Sequence, residues 1–391
     1  MFRIFALLIL CLTNIICSAQ LRLQKCDNKK LNPDQLVFNH FLKEGIKVVK
    51  AQYRLNPNGS GIFYDPQNLL GISEGIVLST GNIDSIKGPN KRFGISYHFP
   101  GFDRYEDEDF VTAHENYDAM VISIEFIPSF DSICFEYCFG SEEYPEFVGS
   151  DFNDQFALYL KLKGTKENKN IARLPNNSVV NINQVNHKKN SEYYIDNTLQ
   201  NHFNKELQKW EPANQKLFNT FEFDGFTKLL TASANVIPGK IYQLKMIICD
   251  LNDANFDSGI FLKSKSFRSI PSKKNIRKSG TKKHFVHFDI AKAELNDSSI
   301  KMLENISVFI LHNQVDSIII NGYTDSTGNE ESNKLLSFKR AEQVKQVLLK
   351  HGVSDKNFRI SGEGSNHPIG SNTTPEGRLL NRRVEIILLK K

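Results

Sequence analysis

A chain of 391 residues is too long for one ordinary hydrophobic core, so two or more domains are expected. Charged residues make up 24% of it and the formal net charge is +5, a mild surplus that does not call for nucleic acid and comes with no recognition-helix or zinc-finger pattern. Beyond the first twenty residues, no segment approaches the ~20 consecutive apolar residues of a membrane helix.

Residues 1–19 read as a secretory signal peptide. Arg3 supplies the positive start, Ile4 to Ile16 the apolar run, and Cys17-Ser18-Ala19 the small residues before cleavage after Ala19. In a lipoprotein reading Cys17 would be acylated, but bulky Ile16 stands where such signals carry a small side chain. Export is therefore expected, to the periplasm or the cell outer membrane. Four cysteines follow the signal: Cys26, Cys134, Cys138 and Cys249. Cys134 and Cys138, in one extended strand, stand roughly 13 Å apart, beyond the ~7 Å that a disulfide spans. Cys138 with Cys249 is the preferred pair, and buried free thiols are the alternative. The cysteine spacing does not suit zinc.

From Leu31 to Phe267 the pattern is mainly strands. A helix is expected first, capped by Asn32, with Pro33 in its first turn and Gly45 after it. Ile122, Ile124 and Phe126 then alternate with polar residues, as do Ile133, Phe135, Tyr137 and Phe139, and the same period returns at Phe156 to Leu160 and Tyr242 to Ile248. Strands with one apolar face must pack it on another sheet, so residues 20–267 are expected to form an all-β sandwich. The polar stretch Glu192 to Lys216 reads as a surface excursion.

Two connections in this sandwich are acidic. Glu142, Glu143, Glu146, Asp151, Asn153 and Asp154 crowd one, and Asp250, Asn252, Asp253 and Asp257 the other. Calcium takes six to eight oxygens collected on loops, and Glu143, Asp151, Asp154 and Asp250 are the expected ligands. Asp and Asn that merely bond local turn backbone are the competing reading. A hydrolase could use two of these carboxyls across a bond, but adjacent strand residues point to opposite faces and no serine-elbow, phosphate-loop or paired-histidine motif appears. The expectation is a protein that is not an enzyme.

Residues 268–283, RSIPSKKNIRKSGTKK, carry seven basic residues and no acid and read as a linker. An α/β domain is expected over residues 284–391 in the order βαβαββ. Its helix from Asp297 shows Ile300, Leu303, Ile306 and Ile310 on one face. A second helix shows Ala341, Val344 and Leu348, and Gly352 ends it. Between them Val315 to Ile320 leads into the turn NGYTDSTG. Asp325 in that turn and Arg340 on the next helix form a pair suited to a zwitterion, the carboxylate accepting from an ammonium and the guanidinium clamping a carboxylate.

The GYTD turn, Asn333, LSFKRA, the GEG turn at Gly362 to Gly364 and NRRVEI at Asn381 to Ile386 resemble the OmpA-like C-terminal domain. That resemblance implies non-covalent binding of peptidoglycan, with Asp325 and Arg340 holding the two ends of the diaminopimelate side chain of the stem peptide and Thr324 and Asn333 lining the pocket. Asn381, Arg382 and Arg383 are left open between the pocket and internal pairing. Upstream, GIVLSTGN at Gly75, FGSEEYPEFVGSDFNDQFALYL at Phe139, NIARLP at Asn170, YYIDN at Tyr193, FDGFTKLLTA at Phe223 and DSGIFLKSKSF at Asp257 resemble the choice-of-anchor L domain. This second resemblance implies a module joined to an anchor and assigns it no activity. The combined expectation is an exported envelope protein held to diaminopimelate-type peptidoglycan. Its sandwich would face an unidentified partner, with outer-membrane proteins or surface glycans as candidates. An adhesin or glycan-binding module merely tethered to the wall is the runner-up.

Overall fold

The computed structural model describes residues 20–27, 30–92, 94–106, 115–150, 154–199, 203–204, 209–271, 282–313 and 315–389. The expected signal segment, the candidate ligand Asp151 and residues 272–281 of the linker lie outside them.

Two antiparallel sheets face each other across one core. The smaller runs in the order Ile46–Arg54, Asn116–Pro128, Tyr242–Leu251, Gln155–Leu162, Asn168–Asn170. The larger is built on Ser132–Ser141. Ser258–Lys263 and Arg268–Ile270 pair along one edge of that strand, and Gly225–Thr227 and Leu230–Asn235 along the other. Period-two alternation turns Phe135, Tyr137 and Phe139 inward against Phe156, Leu158, Met246 and Ile248.

The same alternation decides the cysteines. Cys138 points outward from the larger sheet, among Phe63, Phe221 and Phe261. Cys249 points outward from the smaller one, among Ala119, Val121 and Ile247. The preferred Cys138–Cys249 pair is thus kept apart by the whole thickness of the sandwich, and all four described cysteines are buried free thiols.

Asn32 caps the first helical turn in a reciprocal box with Gln35, and a wider π-type turn then buries Leu36, Val37 and Phe41. The supposed excursion at Glu192 to Lys216 contains a strand, Tyr194–Asp196, that extends the larger sheet through Gly225–Thr227. Arg268–Ile270, assigned above to the linker, belongs to that sheet as well.

The C-terminal sheet has the order Lys282–His287, Arg383–Leu389, Ser317–Gly322, Phe358–Gly362, with only the last pair parallel. Helices Asp297–His312 and Glu330–Lys350 complete the expected order. The connection before the last strand adds a short helix, Pro375–Asn381, with Pro375 in its first turn and Thr374 as its cap. Gly322 and Gly362 are cross-strand partners. A β-carbon would stand 1.9 Å from the Ser337 carbonyl oxygen at Gly322 and 2.6 Å from the Phe338 nitrogen at Gly362. The helix carrying Arg340 therefore lies on the sheet at backbone contact, which is what buries that arginine.

The two domains meet. Phe130, in the turn that carries the chain from Asn116–Pro128 in the smaller sheet to Ser132–Ser141 in the larger, is buried in the C-terminal core, its ring 4.9 Å from that of His284. Lys47 reaches the Asp289 carboxylate at 3.0 Å.

Candidate functional site

The turn after Ser317–Gly322 sets the first site. Gly328, at φ +93°, reverses the chain before Asn329 caps the helix. Asp325 Oδ1 accepts from the Thr327 amide at 3.0 Å, and Oδ2 accepts from Arg382 at 2.8 Å. Burial alone would raise this carboxyl, but the hydrogen bonds from Arg382 and Thr327 outweigh it and hold it below the usual carboxylate range.

Arg340 does not display an open fork. It is fully buried, and its Nε and two terminal nitrogens donate to the carbonyls of Lys292, Tyr323 and Asp289 at 2.8, 3.1 and 2.9 Å. Its charge lies 5.1 Å from the Phe288 ring centre. Desolvation, with the like charge of Arg382, lowers its pKa to about 10. Three bonds leave two of its five N–H donors for a ligand. Thr324 is buried beside it with a hydroxyl that meets no partner, its amide donating to Gly364, and Asn333 is buried on the helix.

Arg382, which the sequence left open, supplies the missing charge logic: two guanidiniums and one carboxylate surround the pocket, a surplus of one positive charge. Arg383 instead pairs with Glu385 and stacks 3.9 Å from the Tyr323 ring centre. Asn381 pins the rim, accepting from the amides of Ile369 and Gly370 and donating to Gly370 and Asn372.

The acidic loops form a second cluster. Glu143, Asp154, Asp250 and Asp257 are all buried at one end of the sandwich. Glu143 Oε2 accepts from the Asp154 amide at 3.2 Å. Burial, reinforced by the neighbouring acids, raises Glu143, Asp154, Asp250 and Asp257. Of the expected ligands, Glu143, Asp154 and Asp250 do not bring one oxygen each within 4.8 Å of one another. His98, Asp103 and Asp118 do, but Asp118 is already satisfied by the Phe99 amide and by His98.

Comparison with known proteins divides the chain at the same place. The choice-of-anchor L domain matches residues 25–268, and the OmpA family matches residues 287–382. Over 71 residues the chain is 51% identical to the peptidoglycan-binding protein ArfA of Mycobacterium bovis, covering 18% of this chain and 22% of that one. Over 103 residues it is 38% identical to the probable lipoprotein YiaD of Escherichia coli, covering 26% and 47%. The chain thus spans less than half the length of these relatives. Among solved structures, the peptidoglycan-associated lipoprotein of Burkholderia pseudomallei aligns at 28% identity and a TM-score of 0.26, covering 27% of this chain and 88% of that one. The match over residues 25–268 takes in more than half of the chain, which therefore belongs to the choice-of-anchor L domain family and carries an OmpA family domain at its C-terminal end.

Proposed function

We propose that the C-terminal domain holds this protein non-covalently to peptidoglycan of the diaminopimelate type, in the periplasm or at the cell outer membrane, while the sandwich presents a binding surface. The observation that carries the reading is the pocket of Asp325, Arg340 and Arg382: a carboxylate for an ammonium, and spare guanidinium donors for a carboxylate. Thr324, with its free hydroxyl, and Asn333 line it. A relative that shares half its residues over this region is named for binding peptidoglycan.

The test is co-sedimentation of the full chain with purified sacculi, diaminopimelate-type beside lysine-type. Retention by the first only, lost in Asp325→Asn, is expected. Equal retention by both wall types would overturn the diaminopimelate assignment, and no retention by either would overturn the anchor. Asp325→Ala is a poorer probe, because it strands buried Arg382 beside Arg340 without a counter-charge and costs roughly 3 kcal/mol of stability.

A second reading concerns the sandwich. A cleft of about 260 Å³ on its smaller sheet is lined by Gln52, Tyr53, Arg54, Tyr105, Gln243 and Lys245 among others. Aromatic faces beside amides and cations suit a saccharide, which favours the adhesin or glycan-binding alternative for this domain. Glu142 and Glu143, which a hydrolase would have to open to substrate, are only 2% and 3% exposed and speak against catalysis.

A further inference from the structure

The core-facing stripes of the sandwich do not end in apolar residues. Along Tyr242–Leu251 the inward positions read Leu244, Met246, Ile248 and then, by the same period, Asp250. Along Gln155–Leu162 they read Leu160, Leu158, Phe156 and then Asp154. The ladder ends with Cys249 opposite Gln155, Asp250 and Asp154 are the next residues beyond it on the two strands, and their side chains come together there. Like charges so placed repel. The opposite sheet ends its inward stripes at the same place with hydroxyls. Ser258 follows Leu262 and Ile260, Ser141 follows Tyr137 and Phe139, and the two serines are cross-strand partners.

Both oxygens of Asp250, Oδ2 of Asp154 and Oγ of Ser258 are buried without a hydrogen-bond partner. Thr80 offers Asp250 at most one proton, its hydroxyl accepting from the Ser258 amide at 2.9 Å and lying 3.4 Å from the Ser258 carbonyl, and one neutral hydroxyl does not balance two carboxylates. Among the described residues no lysine or arginine pairs with either aspartate. Two carboxylates in this position cost several kcal/mol each unless a positive charge joins them.

We propose that this end of the core is a calcium site, held by Asp154 and Asp250 with the hydroxyls of Ser258 and Ser141 completing an all-oxygen shell. One divalent ion neutralises both aspartates. An oxygen-only set excludes soft metals, and its irregular spread over two sheets suits calcium, whose coordination is flexible, better than magnesium, which demands a near-ideal octahedron. This site is independent of the wall-binding pocket.

The experiment uses the full chain, stripped by chelator and shown metal-free by elemental analysis, then titrated with calcium chloride or magnesium chloride and followed by calorimetry and thermal unfolding. One equivalent of calcium is expected to bind, raising the melting temperature by about 5 to 10 °C at a hundredfold excess over the dissociation constant, with magnesium much weaker. Asp250→Asn and Asp154→Asn each weaken calcium binding about 100-fold. Each also melts higher than the unmutated chain when metal-free, because the facing repulsion is gone. No heat and no shift at millimolar calcium in the metal-free unmutated chain would overturn the site and leave the two aspartates sharing a proton. Calcium binding that survives unchanged in Asp250→Asn would place the ion elsewhere and overturn it equally. If a variant fails to fold, the unmutated titration decides alone.

Discussion

The pocket around Asp325 and the acidic end of the sandwich both bury ionisable side chains, and they differ in what partners the chain gives them. In the C-terminal pocket each charged group has partners from the chain: Arg382 lies on Asp325, and three carbonyls take Arg340. In the sandwich Asp154 and Asp250 come together with no lysine or arginine paired to either among the described residues. A pocket whose charged groups are all held by hydrogen bonds from the chain can keep its shape while waiting for an organic ligand. A pocket left with unanswered charge has its stability tied to something dissolved.

The contrast breaks most visibly at Arg340. Arg340→Ala orphans three carbonyls inside the helix–sheet contact and should cost about 3 kcal/mol or more, with loss of wall retention. Arg340→Lys keeps the charge without the fork, so it should fold better than the alanine variant yet still release from sacculi. Wild-type retention by the lysine variant would mean that the guanidinium serves the fold alone. Asp325→Asn should come next, losing at least about tenfold in wall affinity for about 1–2 kcal/mol of stability, since the amide still accepts from Arg382.

Acid should pull the two domains in opposite directions. Asp224 in the sandwich is pushed up to about 7 by burial, helped by the charges of Glu146, Glu222 and Asp196 against a hydrogen bond from Asn90. A carboxyl raised in the folded state binds its proton there first. Its stabilisation is complete below about 4 and lost as pH climbs to about 7, a change on the order of 2–4 kcal/mol that Asp224→Asn should flatten. His287 in the C-terminal domain is lowered to about 3 by burial and by the charges of Lys47, Arg383 and Arg382. A histidine kept neutral has the reverse sign: stability is full above about 6.5 and falls as pH drops, by roughly 2 kcal/mol at pH 5. Hydrogen exchange read domain by domain at pH 5 and 7.5 should show protection moving toward the sandwich in acid. Parallel slopes in both domains would dissolve the contrast. Smallest of all, Lys47→Ala should change stability by less than about 1 kcal/mol, because Asp289 is exposed.

Much of this was legible from residue order. Two-residue alternation announced the sheets, Asn32 and Pro33 the first helix, and the fifteen-residue interval from Asp325 to Arg340 the pair in the pocket. What sequence hides is which face a position joins and how closely backbones approach. Asp154 and Asp250 read from sequence as calcium ligands on two acidic loops, together with Glu143 and Asp151, and only the strand register brings these two together at the end of the core. The signal was there in weaker form, since each stands two places beyond an inward Phe156 or Ile248. Arg382 could not be assigned because its partner lies 57 residues away. Arg340 appeared open because nothing in the string says that Gly322 and Gly362 let its helix down onto the sheet. The Cys138–Cys249 expectation failed for the same reason: both ends were placed correctly along their strands and on opposite outsides of the sandwich.

The seat of Phe130 in the C-terminal core has a mechanical meaning. On the proposed function the chain would be held at both ends and pulled, and two domains joined by chain connectivity alone would swivel under that pull. With Phe130 buried in one cluster with Val286 and Met302, a pull must first extract an aromatic ring from its socket. The two domains are then held by packing as well as by the chain between them, a latch and not a string.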